Sequence, residues 1–266
     1  MKKNQSGRLS NQQKKSGGPK GIFSHEAQEH DISLRKISMI FFEQLKKQYP
    51  ALEFRYRKSI SKKEINEKLN QIDSRLGKTL FLKHATIKPD GGIIEVKDKQ
   101  GKWRVILVSE AKYQGKDIEN IRKGILVGKN KDQDTMAAGN AIERSHKNIN
   151  EIRNYMLDEK HFPYVLFLQG SNFLTETLQI QRPDGRVVTL KYDDSTLNRI
   201  DRLTAANYSM PLNTNLCKNI FVKIDDREVM LQAASIYVKT FPWTSEEILS
   251  VMNEIARTSL KILGLI

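Results

Sequence analysis

Apolar positions recur at helical spacing in the first third of the chain, with Leu34, Ile37, Phe41 and Leu45 forming one stripe that runs to a stop near Pro50. A second helix is expected from "SKKE", where Ser61 and Glu64 have the spacing of a capping box and Ile65, Leu69 and Ile72 supply the inward face. The pattern then changes to short β-rich segments, "TLFLK" (79–83), "GIIEVK" (92–97) and "WRVILVS" (103–109), with "DKQG" as a hairpin turn between the last two. A helix over 142–157 places Ile149, Ile152 and Met156 together. "YVLFLQG" (164–170) is apolar on both parities, as a fully buried central strand is. "RPDGRVVTLKY" (182–192) predicts a turn and an outlying strand, and "AASIYVK" (233–239) another core strand. A last helix starts at "TSEE", Thr244 to Glu247, with Ile248, Val251, Ile255 and Ile262 inward. Strands and helices interleave, which predicts an α/β fold with a mixed sheet covered by helices on both faces.

Charge narrows the class of partner. The 266 residues carry 45 Lys plus Arg against 31 Asp plus Glu, a formal net charge of +14, which suits a polyanion, nucleic acid before an anionic membrane. No apolar run approaches the ~18 residues of a membrane span, and the lysines after Met1 have no hydrophobic segment behind them, so a cytoplasmic protein is expected. Cys217 is the single cysteine, which excludes an intrachain disulfide and a cysteine-rich zinc module, and the five histidines are scattered. Residues 1–24 hold six basic residues and no acid among Gly, Ser and Gln, the composition of a basic arm or a solubilising tail. One domain over 25–266 follows.

The end of "WRVILVSEAK" poses the chemical question. Side chains two apart on a strand share a face at roughly 7 Å, so Glu110 and Lys112 point together while Ala111 turns away. An acid at the end of a buried run needs a positive partner, an ammonium, a metal ion or both. In "IKPDGG", Pro89 and two glycines bracket Asp90 in a rigid turn entering the preceding strand. If the hairpin brings Asp90 beside Glu110, two carboxylates and one ammonium converge. Asp90, Glu110, the carbonyl of Ala111, waters and a phosphate oxygen would then make a Mg2+ shell. The bland reading is a surface ion pair. Glu-x-Lys is weak on its own, because "EVK" (95–97) repeats it, and that copy reads as the solvated side of a hairpin; the second "PDG" (183–185) reads as a structural turn.

"DQDTMAAGNAIERSHKN" (132–148) is the other informative stretch. Small residues from Met136 through Ala137, Ala138, Gly139 and Asn140 to Ala141 permit close approach to another surface. Asn140 can pair two ways with adenine and Arg144 bidentately with purine acceptors, with Glu143 accepting from exposed amino groups or holding Arg144. Lys147 and Asn148 are available for phosphates. As bare pattern this is also an ordinary loop and helix start. Arg55, Arg57, Lys88, Lys116, Arg199 and Arg202 are candidates for a basic groove, though each taken alone reads more readily as a solvated charge.

These stretches, with "QGKD", "HFPYVLFL", "GSNFLTE" and "DRLTAANY", resemble the EcoRI family of restriction endonucleases over about residues 54–237. The resemblance implies the restriction-endonuclease-like fold, a central mixed five-stranded sheet flanked by helices with DNA-wrapping arms, and a PD…(D/E)xK site. It puts catalysis on Asp90, Glu110 and Lys112, and recognition on 136–141, Glu143 and Arg144, with Arg199 and Arg202 near the outer base pairs. It further implies a homodimer on double-stranded DNA, Mg2+ dependence, and cutting of GAATTC between G and A on each strand to leave 5′ overhangs. A cognate adenine-N6 methyltransferase would be the functional partner. Tyr113 stands where the family has His, and Lys191 where it has an acid. A sequence-specific DNA-binding protein that does not cleave, and a structure-directed repair nuclease, are the competing readings.

Overall fold

A computed structural model describes residues 25–115, 117–125, 139–192, 220–231 and 234–266. The expected basic arm (1–24), Met136, Ala137, Ala138, Lys116, Arg199 and Arg202 lie outside the described residues. Helix α1 (His25–Gln48) leads to β1 (Phe54–Arg57), β2 (Ile60–Ser61), α2 (Lys62–Ile72), β3 (Thr86–Ile87), β4 (Gly92–Lys97), β5 (Trp103–Tyr113) and α3 (Asp117–Arg122). Then follow α4 (Gly139–Tyr155), β6 (Tyr164–Gln169), a 3-10 turn (Ser171–Phe173), β7 (Leu178–Gln181), β8 (Val187–Leu190), β9 (Ile220–Ile224), β10 (Arg227–Leu231), β11 (Ser235–Lys239) and α5 (Ser245–Ile262).

The main sheet has five strands in the order β1-β4-β5-β6-β11. β1, β4 and β5 pair antiparallel, whereas β5, β6 and β11 run parallel. One face packs on α1 and α5 through Leu34, Ile37, Phe41, Leu45, Ile248, Met252 and Ile255, against Leu107, Ala111, Val165 and Phe167. The other packs on α2 and α4 through Ile65, Ile149, Ile152 and Met156, against Val105, Val108, Leu166 and Leu168. Every residue of β6 is buried because the strand has neighbours on both edges and helices on both faces. The hairpins β7–β8 and β9–β10 are separate two-stranded sheets. Among the described residues no helix is long and apolar enough to cross a membrane.

Four local expectations change. "TLFLK" forms no strand: Leu80 and Leu82 are exposed, and the strand of this region is the short β3 paired with β2, since β propensity without a neighbouring edge does not make a ladder. Ile72, expected inward, is exposed at the end of α2. Ser61 accepts from the backbone N–H of Glu64 at 3.1 Å, but the Glu64 carboxylate is taken by Arg57 at 2.6 and 2.7 Å, so the reciprocal half of that box is lost to a stronger, charged partner. At α5 the full box forms between Thr244 and Glu247.

The fourth concerns "EVK". Glu95 is fully buried, not on a solvated face. The reason is β1, whose register puts Arg55 directly opposite Glu95. Arg55 pairs with Glu95, and Arg57 approaches its other oxygen at 3.7 Å. Both arginines, candidates for a basic groove, are therefore held in ion pairs beside the sheet.

Candidate active site

The turn that carries Asp90 is made by its glycines. Gly92 adopts φ +83, a left-handed conformation, and its N–H closes the turn on the Pro89 carbonyl at 3.1 Å. Gly91 donates to Ser109 O at 2.9 Å, and a Cβ there would fall 2.1 Å from Ser109 Oγ. The turn is thereby pressed against β5 one residue before Glu110. Strand β5 carries one extra residue, because Ile94 pairs with Leu107 while Glu95 pairs with Val105, leaving Ile106 unopposed. This bulge resets the alternation, so Val105 and Val108 both face α4 and Glu110 and Lys112 follow on that side.

Asp90, Glu110 and Lys112 are in direct contact. Lys112 Nζ lies 2.6 Å from Asp90 Oδ2 and 2.6 Å from Glu110 Oε1, so those two oxygens are within twice that distance of each other. The Ala111 N–H donates to Asp90 Oδ2 at 3.3 Å. Glu110 is fully buried, and Asp90 and Lys112 keep 18% and 16% side-chain exposure, so the cluster opens to solvent on the aspartate and lysine side. Two further donors meet Glu110. The Asn148 amide of α4 reaches Oε1 at 3.0 Å and Oε2 at 3.1 Å, and the Tyr164 hydroxyl of β6 donates to Oε2.

Burial pushes the Glu110 carboxyl up, with Asp90 adding to the rise and Lys112 and Tyr164 opposing it. Burial pulls Lys112 down, but the Glu110 and Asp90 carboxylates outweigh it and hold the ammonium above its ordinary range. Burial, then Glu110, also raises Tyr164 well above a free tyrosine. In this arrangement Lys112 and Tyr164 are proton donors to carboxylates, not bases. Two carboxylates against one ammonium leave a negative excess of all-oxygen donors, which fits a hard divalent cation. Among the described residues no three His, Cys, Asp or Glu side chains gather around one point. An ion held here would keep waters or phosphate oxygens in the rest of its shell, as Mg2+ commonly does.

The family model for the restriction endonuclease EcoRI matches residues 16–265. The chain belongs to the EcoRI restriction endonuclease family. It is 60% identical over 264 residues to the type II restriction enzyme EcoRI of Escherichia coli, covering 98% of this chain and 95% of that one. It is 55% identical over 262 residues to the type II restriction enzyme RsrI of Cereibacter sphaeroides, again covering 98% and 95%. As an EcoRI-family member it is an enzyme, a type II site-specific deoxyribonuclease, and its mixed sheet flanked by helices is consistent with the fold of that family. Restriction enzymes of this type act on double-stranded DNA, commonly as homodimers, and generally need a divalent metal.

In this EcoRI-family chain the remaining candidate residues are spread along α4 and beside the site. Gly139, Asn140, Ala141 and Glu143 lie in the first turns of α4, where the backbone alone is described. Arg144 is exposed one turn before Asn148 on the same helix. Lys147 is exposed and pairs with Glu151 at 3.2 Å. Lys88 is exposed, two residues before Asp90. Asn148, expected to serve phosphates, has its amide on Glu110. That contact and Tyr164 are what sequence reasoning missed. A signal for Tyr164 was present: a hydroxyl at the head of the buried run "YVLFL" must find a partner, and the register places Tyr164 opposite Val108, two residues from Glu110 on the same face.

Proposed function

We propose that the chain acts as a homodimer on the palindrome GAATTC, hydrolysing the phosphodiester between G and A on each strand with Mg2+ and leaving 5′ overhangs. The observation that carries this reading is the single ammonium of Lys112 shared at 2.6 Å by the carboxylates of Asp90 and Glu110. Those carboxylates, with the Ala111 carbonyl, would hold the ion. Bound there, Mg2+ would withdraw charge from the scissile phosphate and lower the pKa of a coordinated water. Lys112, as a donor, orients the attacking water or the phosphate oxygen beside it and stabilises developing negative charge. Tyr164 fixes the plane of the Glu110 carboxylate from the rigid centre of the sheet.

Recognition is assigned to residues 136–141, Glu143 and Arg144 at the start of α4, with Arg199 and Arg202 toward the outer base pairs and Lys88, Lys116, Lys147 and Asn148 toward phosphates. One site per chain must cut two strands related by a two-fold axis, and a palindrome mirrors that symmetry. Residues 25–266 make up the endonuclease domain, with residues 1–24 as a basic arm. A cognate methyltransferase acting on adenine N6 would protect host DNA by replacing one amino hydrogen with a methyl group where the reading segment must fit. The 60% and 55% identity to EcoRI and RsrI supports a shared target. Cleavage positions mapped on a plasmid of known sequence, with and without Mg2+, test the proposal. Cuts at G/AATTC only when the metal is present are expected; cuts at another sequence, or scattered ones, refute it.

A further inference from the structure

The donors around Glu110 fill its acceptor capacity. A carboxylate offers about four lone-pair directions, and here Oε1 accepts from Lys112 at 2.6 Å and Asn148 at 3.0 Å, while Oε2 accepts from Asn148 at 3.1 Å and from Tyr164. A cation that takes either oxygen must displace one of them. Tyr164 is fully buried and stacked on Phe162 with ring centroids 5.6 Å apart, so it has nowhere to turn. Lys112 is anchored a second time by Asp90 at 2.6 Å. Asn148 is half-buried, and its amide sits on the end of a short side chain that can rotate toward solvent.

We propose that Asn148 is a positioning residue that gates metal binding: in the DNA-free protein its amide occupies both oxygens of Glu110, and the site takes a divalent ion tightly only once that amide is drawn away. The inference rests on the reading of Glu110 as a metal ligand and deepens it. What draws the amide away is a phosphate of the bound duplex, an anionic acceptor competing for the same N–H groups. Asn148 lies one helical turn beyond Arg144 on the helix assigned to base reading, so a small shift of α4 on DNA moves the gate with it. Recognition at one end of α4 and ion loading at the carboxylate are thereby mechanically joined.

The test is Mn2+ affinity, measured by electron paramagnetic resonance on the full chain without DNA, for the native protein, Asn148→Ala and Asn148→Ser. Removing the amide that bridges both oxygens of the carboxylate is expected to tighten Mn2+ binding about threefold to tenfold. That gain must vanish when Glu110→Ala is added, since it acts through that side chain. With a GAATTC duplex bound, native protein and Asn148→Ala should hold the ion equally, because DNA has already removed the amide. Unchanged or weaker Mn2+ binding by both DNA-free variants overturns the gate, even if Glu110→Ala abolishes cleavage. A Glu110→Ala protein that still cuts would instead overturn the underlying assignment of the ligand.

Discussion

The chain contains Glu-x-Lys twice, and the two copies came to different ends. Glu95 and Glu110 are both fully buried on adjacent strands, and each belongs to a pair of carboxylates bridged by a cation. Around Glu95 the second carboxylate is Glu64 and the cations are two guanidiniums, Arg55 and Arg57; Lys97 turns away to Glu53 at 2.8 Å. Around Glu110 the second carboxylate is Asp90 and, among the described residues, the cation is Lys112. The first cluster is neutral, its acids met by planar forks, one of them lying over the Trp103 ring at 4.3 Å. The second is one positive charge short and open on one side. What separates the two clusters is charge balance, not burial or access.

The largest expected effect separates the two copies directly. Glu110→Gln should cut cleavage about a thousandfold or more while leaving duplex binding intact, whereas Glu95→Gln should keep cleavage and lose about 1–2 kcal/mol of stability by weakening the hold on Arg55, Arg57 remaining paired with Glu64. Plasmid cleavage rates, gel-shift affinities and urea denaturation of both variants decide it. Equal loss of activity in the two would erase the distinction.

A second effect tests charge balance. Mg2+ without DNA should raise the melting temperature of the native protein by about 2–4 °C at high millimolar concentration, because binding to the native state alone stabilises it by mass action. Asp90→Asn, which makes the cluster neutral, should abolish the shift, and Glu64→Gln should not touch it. Differential scanning calorimetry reads all three.

Much of this contrast was outside what local pattern carries. The apolar spacing of 92–97, 103–109 and 164–170 marks the central strands, and period-2 alternation with the Pro-Asp-Gly-Gly turn is enough to bring Asp90, Glu110 and Lys112 toward one point. The fate of Glu95 is not legible, because its partners arrive on β1, some forty residues upstream, and "FRYR" looks the same whether its arginines face water or a buried acid. The bulge at Ile106 is hidden for a related reason: one unopposed residue depends on the partner strand's register. Asn148 and Tyr164 sit 38 and 54 residues from Glu110, joined to it only by helix packing and parallel pairing.

A smaller effect isolates the rigid side of the site. Tyr164→Phe removes a donor from a fully buried carboxylate while the ring keeps its place against Phe162. It should cost about 1–2 kcal/mol in urea unfolding. It should also slow cleavage roughly tenfold, as misplacement of a ligand does. Cleavage at the native rate would mean that Lys112 and Asn148 alone fix the carboxylate.

The smallest effect lies on the Glu95 cluster and depends on pH. Burial raises the Glu64 carboxyl, but its hydrogen bonds and charge contact with Arg57 prevail and leave it below 4.5 in the folded protein. A depressed folded value means the unfolded chain binds the extra proton first. The stabilisation is therefore fully present above about pH 4.5 and is lost as pH falls through the folded value. Glu64 is more than a third exposed, so after solvent screening the contribution is a few tenths of a kcal/mol. Glu64→Gln should lower the melting temperature slightly at pH 7 and by less near pH 3, because acid draws the native carboxyl toward protonation. An identical deficit at both values would mean that the Glu64–Arg57 contact stabilises through packing and not through charge.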